Sequence, residues 1–465
     1  MLKIIIEKEL KEILGSSKFV FTFAVCSLLI LLTFYVGARN YQINRSRYEA
    51  SVAEDLRSME GLTDWRMVNH KIFLPPMPLA SLVGGISNDI GRNIAMAGIG
   101  ELYATESKYS EDPIYAVFRF LDLDFLFQII LSLFAILFTY NAVNGEKEGG
   151  TLALAFANPV PRDKFILGKL IGSFAALAVP LIVPILLGAA LLPIMGVPMA
   201  GGDWVKLAFV ILTGFLYFGV FLSLSVFMSI IMKRSAGSFL MMLVIWIMFV
   251  IVVPRASVII AGRAVNVPSV DDINSKKTQF SRQIFDDQFK KMTTFKPVSE
   301  STAMQEFQKF TSDLQEESMK KNMEYGNKLN EERANRQKIQ QGLAFGISRI
   351  SPSACFSLAA TNIAGTSLQL INDFMNQAVA YQDVFKKFQM NKTGQTTGGA
   401  FMISMRLSGQ EEKKIDPKEL PQFKFIPESI GAALAGSIAD IVILIIYNLL
   451  FFFGSFIAFL KYDLR

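Results

Sequence analysis

The 465-residue sequence contains two cysteines and one histidine. Cys26 sits in an apolar run and Cys355 in a distant polar region, so no disulfide between them is expected. Any part that folds in water must be held by its own core. One histidine (His70, with no acidic neighbour in Asn69-His70-Lys71) and two scattered cysteines leave no zinc site of the usual ligand type. No carboxylate spacing suggests another metal, and no metal is expected. Charge is scarce as well: 18% of the residues are Asp, Glu, Lys or Arg, against roughly 25% in an ordinary soluble domain. With a mean hydropathy of +0.38, this excludes a disordered chain and disfavours a soluble enzyme. A phosphate-binding G-x-x-x-x-G-K-S/T run is missing too, so the chain is not expected to cradle ATP itself.

What charge there is lies unevenly. The stretch 271–340 carries 13 basic and 12 acidic residues, and its near-zero balance argues against a nucleic-acid partner. Elsewhere six uncharged apolar stretches reach the roughly 20 residues that a bilayer crossing takes: 19–38, 125–143, 170–202, 207–232, 235–253 and 441–460. The third carries Pro180, Pro184, Pro193 and Pro198, so its helix is placed at 170–192 and a short outer turn at 193–206. The first lacks a small-residue cleavage pattern and reads as a retained signal anchor over 18–38.

Basic residues orient the spans. Lys3, Lys8, Lys11 and Lys18 precede the first, and Lys147, Arg162, Lys164 and Lys169 lie between the second and third. Lys233 and Arg234 join the fourth and fifth; Lys461 and Arg465 end the chain (461–465). Six alternating helices put all four groups on one side, so both termini are expected in the cytoplasm and segments 39–124 and 254–440 outside. Asp440, Asp122 and Asp124 are then expected at the outer headgroup level. The fold class is an all-α integral membrane protein with six transmembrane helices and a mostly helical external domain.

In that domain, Phe280, Ile284, Phe285, Phe289 and Met292 recur at helical spacing over 269–295. Lys296-Pro297 breaks the helix, and a second, with Phe307, Phe310, Leu314 and Met323 on its stripe, runs from about 299–301 to 342. The pair reads as an antiparallel hairpin with the stripe as its packing face. Ser351-Pro352 is the next break, and a third helix is placed at 363–390, with Ile371, Phe374, Ala378, Phe385 and Phe388 inward. A loop over 391–399, an extended arm at 402–407 and a charged linker over 411–424 complete the segment. Segment 39–124 is expected to pack against it, with a helix near 41–59. Gly84-Gly85 and Gly98-Ile99-Gly100 read as turn or close-packing glycines.

On the cytoplasmic side, 1–17 begins with an amphipathic helix suited to the membrane interface. Leu2, Ile6, Leu10, Ile13 and Leu14 lie on one face, and Glu7, Lys8, Lys11 and Glu12 on the other. The loop 144–169 contains Glu146, Glu148, Gly150, Thr151 and Leu152, then Ala153–Ala157, then Pro159, Val160 and Arg162, then Gly168 and Lys169. Thr151 can cap a short helix that Pro159 must end, and Lys169 can snorkel to the headgroups. A short helix held between two spans suits the docking of another protein.

At these residues the sequence resembles the ABC type-2 transporter permease family, the membrane subunits of ABC exporters. The family carries an acidic E-x-E-x-G-T-L-like run after its second span, then a small-residue helix, P-V-x-R and a Gly-Lys entering span three. Ser351-Pro352 and Ala364-Gly365-Thr366 resemble the subgroup with a large helical external domain. The resemblance implies export without catalysis in this chain, which needs no cofactor. ATP and Mg belong to a separate ABC ATPase subunit, present in two copies beside a second permease copy or a related permease. It also implies a bacterial inner-membrane location, an envelope or lipoprotein partner for the external domain, and no nucleic acid. Glu146, Glu148, Gly150, Thr151, Leu152, Pro159, Arg162 and Lys169 then couple the permease to the ATPase. The alternative is a mechanotransmitter whose external domain acts on an envelope partner without moving a substrate. A membrane-tethered hydrolase lacks H-E-x-x-H and paired intramembrane aspartates, and a secondary transporter would need inverted repeats.

Overall fold

The computed structural model describes residues 1–85, 92–96, 102, 104–105, 122–157, 160–295, 303–393 and 414–461. Helix α1 (Leu2–Leu14) leads through Gly15 and Ser16 into α2 (Ser17–Ser58). The Ser16 hydroxyl caps α2 by accepting the Phe19 amide at 3.2 Å. At 1.5 Å per residue, the 42 residues of α2 reach about 63 Å, twice a hydrocarbon core. Its apolar first half suits a membrane, and its charged second half is the helix expected near 41–59, continuous with the span. Helix α3 runs over Leu123–Glu148 and α4 over Thr151–Phe156; α5 (Arg162–Ile194), α6 (Gly201–Ile231) and α7 (Ser235–Ala264) follow. Both α3 and α7 contain a π-helical turn, at Leu126–Leu131 and Met248–Val252.

Beyond α7 come α8 (Val270–Thr293) and α9 (Ala303–Ser348), the expected hairpin. Ser269 and Asp272 form a capping box that starts α8. The hairpin seam is more polar than the stripe suggested. Phe280 stacks on Tyr325 at 4.0 Å, the Ser281 hydroxyl donates to Asn322 and the Gln288 amide to the Leu314 carbonyl. Phe285, Phe289 and Met292 instead face outward. The apolar arc from 280 to 292 is wider than one helix can cover. The break at Lys296-Pro297 lies outside the described residues, as do Gly98-Ile99-Gly100, 394–413 and so the expected arm at 402–407.

The clearest departure from expectation is α10 (Pro352–Ala364). It is a separate helix buried in the bundle, with Phe356 stacked on Tyr217 and against Phe127. Seven stretches among the described residues are long and apolar enough to cross a bilayer, and the seventh is 352–393. Gly365, at φ 73°, breaks it into α10 and α11 (Gln369–Thr393). Thirteen residues of helix reach only about 20 Å, so α10 falls short of a crossing. The chain returns through α12 (Ile430–Leu460). There Asp440 is fully buried in the protein and ion-paired to Arg349 at 2.6 Å, beyond the end of α9.

Segments 39–124 and 254–440 share a second core. Met59, Trp65, Ile72 and Ile94 pack with Phe374, Tyr381 and Phe385 of α11. An antiparallel sheet of β1 (His70–Phe73), β2 (Asn93–Met96) and β3 (Ala104–Thr105), unforeseen from the sequence, contributes to it. His70 does have an acidic partner. Asp55, near the end of α2, meets its Nδ1 at 2.7 Å and accepts the Lys71 amide at 2.9 Å, tying the long helix to the sheet.

Candidate functional site

Both ends of the described chain meet at one end of the bundle, here the terminal end. α1 lies along α5 over two glycines one turn apart. A Cβ on Gly168 would come within 2.7 Å of Ile5, and one on Gly172 within 2.8 Å of Glu9. This small-x-x-x-small spacing lets two helices approach closely. The approach carries Glu9, 4% exposed, to Lys169, 2% exposed, at 2.7 Å. Lys169 also pairs with Glu146 of α3 at 2.8 Å, and Lys8 pairs with the same Glu146 oxygen at 2.6 Å. The Ser173 hydroxyl donates to Glu9 at 3.0 Å.

The buried Glu9 and Glu146 are balanced by the buried Lys169 and the half-exposed Lys8. Burying any one alone would cost several kcal/mol, and mutual pairing offsets this only while the geometry holds. The cluster therefore fixes α1, α3 and α5 relative to one another. Oxygens of Glu9, Glu12 and Glu146 lie within 4.8 Å of one another, a spacing that can hold a metal, but the Lys169 ammonium already supplies the positive charge between Glu9 and Glu146.

The sequence-predicted residues divide between this cluster and the loop around it. Glu146 and Lys169 are inside it, so Lys169 does not snorkel to headgroups. Glu148 is exposed and accepts the Ser235 amide at 2.9 Å and hydroxyl at 2.6 Å, holding the loop to the first residue of α7, where a helix N-terminus favours an anion. Gly150, at φ 70°, precedes α4. Thr151 is the first residue of α4 rather than its cap, and its hydroxyl donates to the Glu146 carbonyl at 3.1 Å. Leu152 is buried, whereas Leu154 is 72% exposed, with Ala153 and Ala157 exposed beside it. Pro159 lies outside the described residues. Arg162 donates to the carbonyls of Phe459 at 3.1 Å and Leu460 at 2.6 Å, bonding α5 to the C-terminal end of α12 rather than to headgroups.

Sequence reasoning did not bring Lys8, Glu9, Ser173, Asn144 or Ser229 into the site. The Ser229 hydroxyl accepts the Val143 amide at 2.9 Å and donates to the Asn144 side chain at 2.9 Å, joining α6 to α3. Two signals for the cluster were present: a glutamate inside the apolar stripe of α1, and Gly168-Lys169-x-x-Gly172. The arrangement is a rigid platform that holds a short helix outward.

A family model described as ABC-2 family transporter protein matches residues 3–464. No match was found among curated proteins. The match spans nearly the whole chain, and its helices are long and apolar enough to cross a bilayer: this integral membrane protein belongs to the ABC-2 family of transporter proteins.

Proposed function

We propose that the chain is the permease subunit of an ATP-driven exporter and that loop 144–169 is where the ATPase docks. Two permease and two ATPase copies form the working unit, in a bacterial inner membrane, with both chain termini cytoplasmic. ATP and Mg act in the ATPase, and this chain converts ATPase closure into helix movement. The observation that carries the reading is the placement of α4. Its outer side offers Leu154, Ala153 and Ala157, while its inner side carries Leu152 and borders the buried cluster. A push on α4 therefore reaches α1, α3 and α5 through ion pairs, α7 through Glu148, and α12 through Arg162.

Glu148→Lys tests it. The change reverses a charge at the proposed interface, where the penalty reaches several kcal/mol, and also removes the bonds to Ser235. The expected result is loss of ATPase co-purification and of stimulated hydrolysis, with insertion and dimerisation intact. Unchanged association and hydrolysis would remove the basis for a coupling role.

The mechanotransmitter reading is favoured by α10. Ser353 donates to Gln128 at 2.7 Å and Ser357 to Asp124 at 2.8 Å in α3, and the Ser351 hydroxyl donates to the Phe249 carbonyl in α7. Because α9 and α11 flank α10, this contact links two spans directly to the hairpin domain. ATP-dependent flux in proteoliposomes supports export; hydrolysis with domain movement and no flux supports the mechanotransmitter.

A further inference from the structure

One long concavity marks the outer side of the bundle, between α5, α6 and α12. It encloses about 660 Å³ and is lined chiefly by Leu170, Phe174, Leu212, Leu216, Ile445 and Leu449. Its floor lies at Gly219, where a Cβ would come within 2.8 Å of Asn448 Oδ1, so a larger residue would close it. Along α6 the lining runs from Phe209 to Ser223, about 21 Å at the helical rise and more than the ~15 Å hydrocarbon depth of one leaflet.

The polar residues of the lining have their donors engaged. Thr213 donates to the Phe209 carbonyl at 2.8 Å and Ser223 to that of Gly219 at 2.8 Å. Asn448 Nδ2 donates to Leu216 at 3.0 Å and Leu444 at 2.9 Å. The groove thus leaves none of these side-chain donors free, and its wall suits hydrocarbon.

At the terminal end the groove meets charge. Lys164 stands one turn before the lining residue Leu167 on the same face of α5, exposed and without an ion pair among the described residues. The α5 N-terminus and Arg162 add positive potential there, and Asp163 is the adjoining acid.

We infer that this groove is a binding site for one anionic phospholipid of the leaflet at the terminal end, its acyl chain between α5, α6 and α12 and its phosphate at Lys164. A zwitterionic lipid fits the same hydrocarbon wall without bringing net charge to the lysine. The expected preference is roughly fivefold, the equilibrium factor for about 1 kcal/mol per basic residue at a membrane surface.

The test uses the full chain in phosphatidylcholine vesicles with a fluorescent reporter in the groove, Ile445→Trp. The signal of Trp65, Trp204 and Trp246 is removed by difference against the parent chain. Dibrominated phosphatidylglycerol should quench the reporter about fivefold more effectively than dibrominated phosphatidylcholine at equal low mole fraction. Lys164→Glu should abolish the preference while phosphatidylcholine quenching stays, and Lys164→Arg should retain it. Equal quenching by the two lipids, or a preference that survives Lys164→Glu, overturns the proposal.

Discussion

The terminal end of the bundle and the α8–α9 hairpin both rely on opposite charges, yet the two sets of pairs do different work. On the hairpin, Lys321 meets Glu317 at 2.6 Å and Arg336 meets Glu332 at 2.8 Å, with side chains 45–52% exposed. These pairs sit in water, where pairing replaces good hydration with little net gain. At the terminal end Lys169, Glu9 and Glu146 have side chains 3–7% exposed and come from helices up to 160 positions apart in the chain. There each charge depends on its partners. Similar distances therefore mean a solubilising surface in one place and a structural joint in the other.

The sharpest way to break this contrast is Lys169→Met. It leaves Glu9 and Glu146 buried with less compensation and should cost about 3–5 kcal/mol, read as a lowered melting point in detergent. Adding Glu9→Gln should recover part of that loss, since the second change removes the orphaned charge. An unaltered melting point for Lys169→Met would show that water reaches the cluster.

An intermediate effect is expected at Asp440. Asp440→Asn removes the charge opposite Arg349, whose side chain is 36% exposed and can turn toward solvent. The loss should be about 1–2 kcal/mol, near the lower range for hydrogen bonds to charged groups. A loss as large as that of Lys169→Met would mean that Arg349 is sealed in.

The smallest effect belongs to the hairpin. Glu317→Ala removes the partner of both Lys321 and Lys291, and it should leave the melting point unchanged within error. A clear drop would put the hairpin pairs in the same class as the buried cluster.

The same contrast explains how far the sequence could be read. Hairpin pairs four residues apart follow from helical geometry, and the apolar runs announce the spans, because both signals are local. The motif run from Glu146 to Lys169 was legible through its resemblance to a family. The partners of Lys169 were not, since Glu9 and Glu146 reach it only after α1 settles on Gly168 and Gly172. Polarity also misled: Ser353 and Ser357 of α10 and Ser351, which caps it, look like surface residues but bond to Gln128, Asp124 and Phe249 inside the bundle. Asp440 misled in the same way, for its partner lies 91 residues away.

Whether α4 on its ionic platform receives the ATPase is decided by photo-crosslinking. A benzophenone amino acid replaces Leu154 on α4 in one variant and Phe285 on the hairpin in another, both exposed apolar positions. With the ATPase present, an adduct of permease and ATPase is expected from position 154 and none from position 285. No ATPase adduct at 154, or an adduct of equal yield at 285, would mean that the ATPase docks elsewhere.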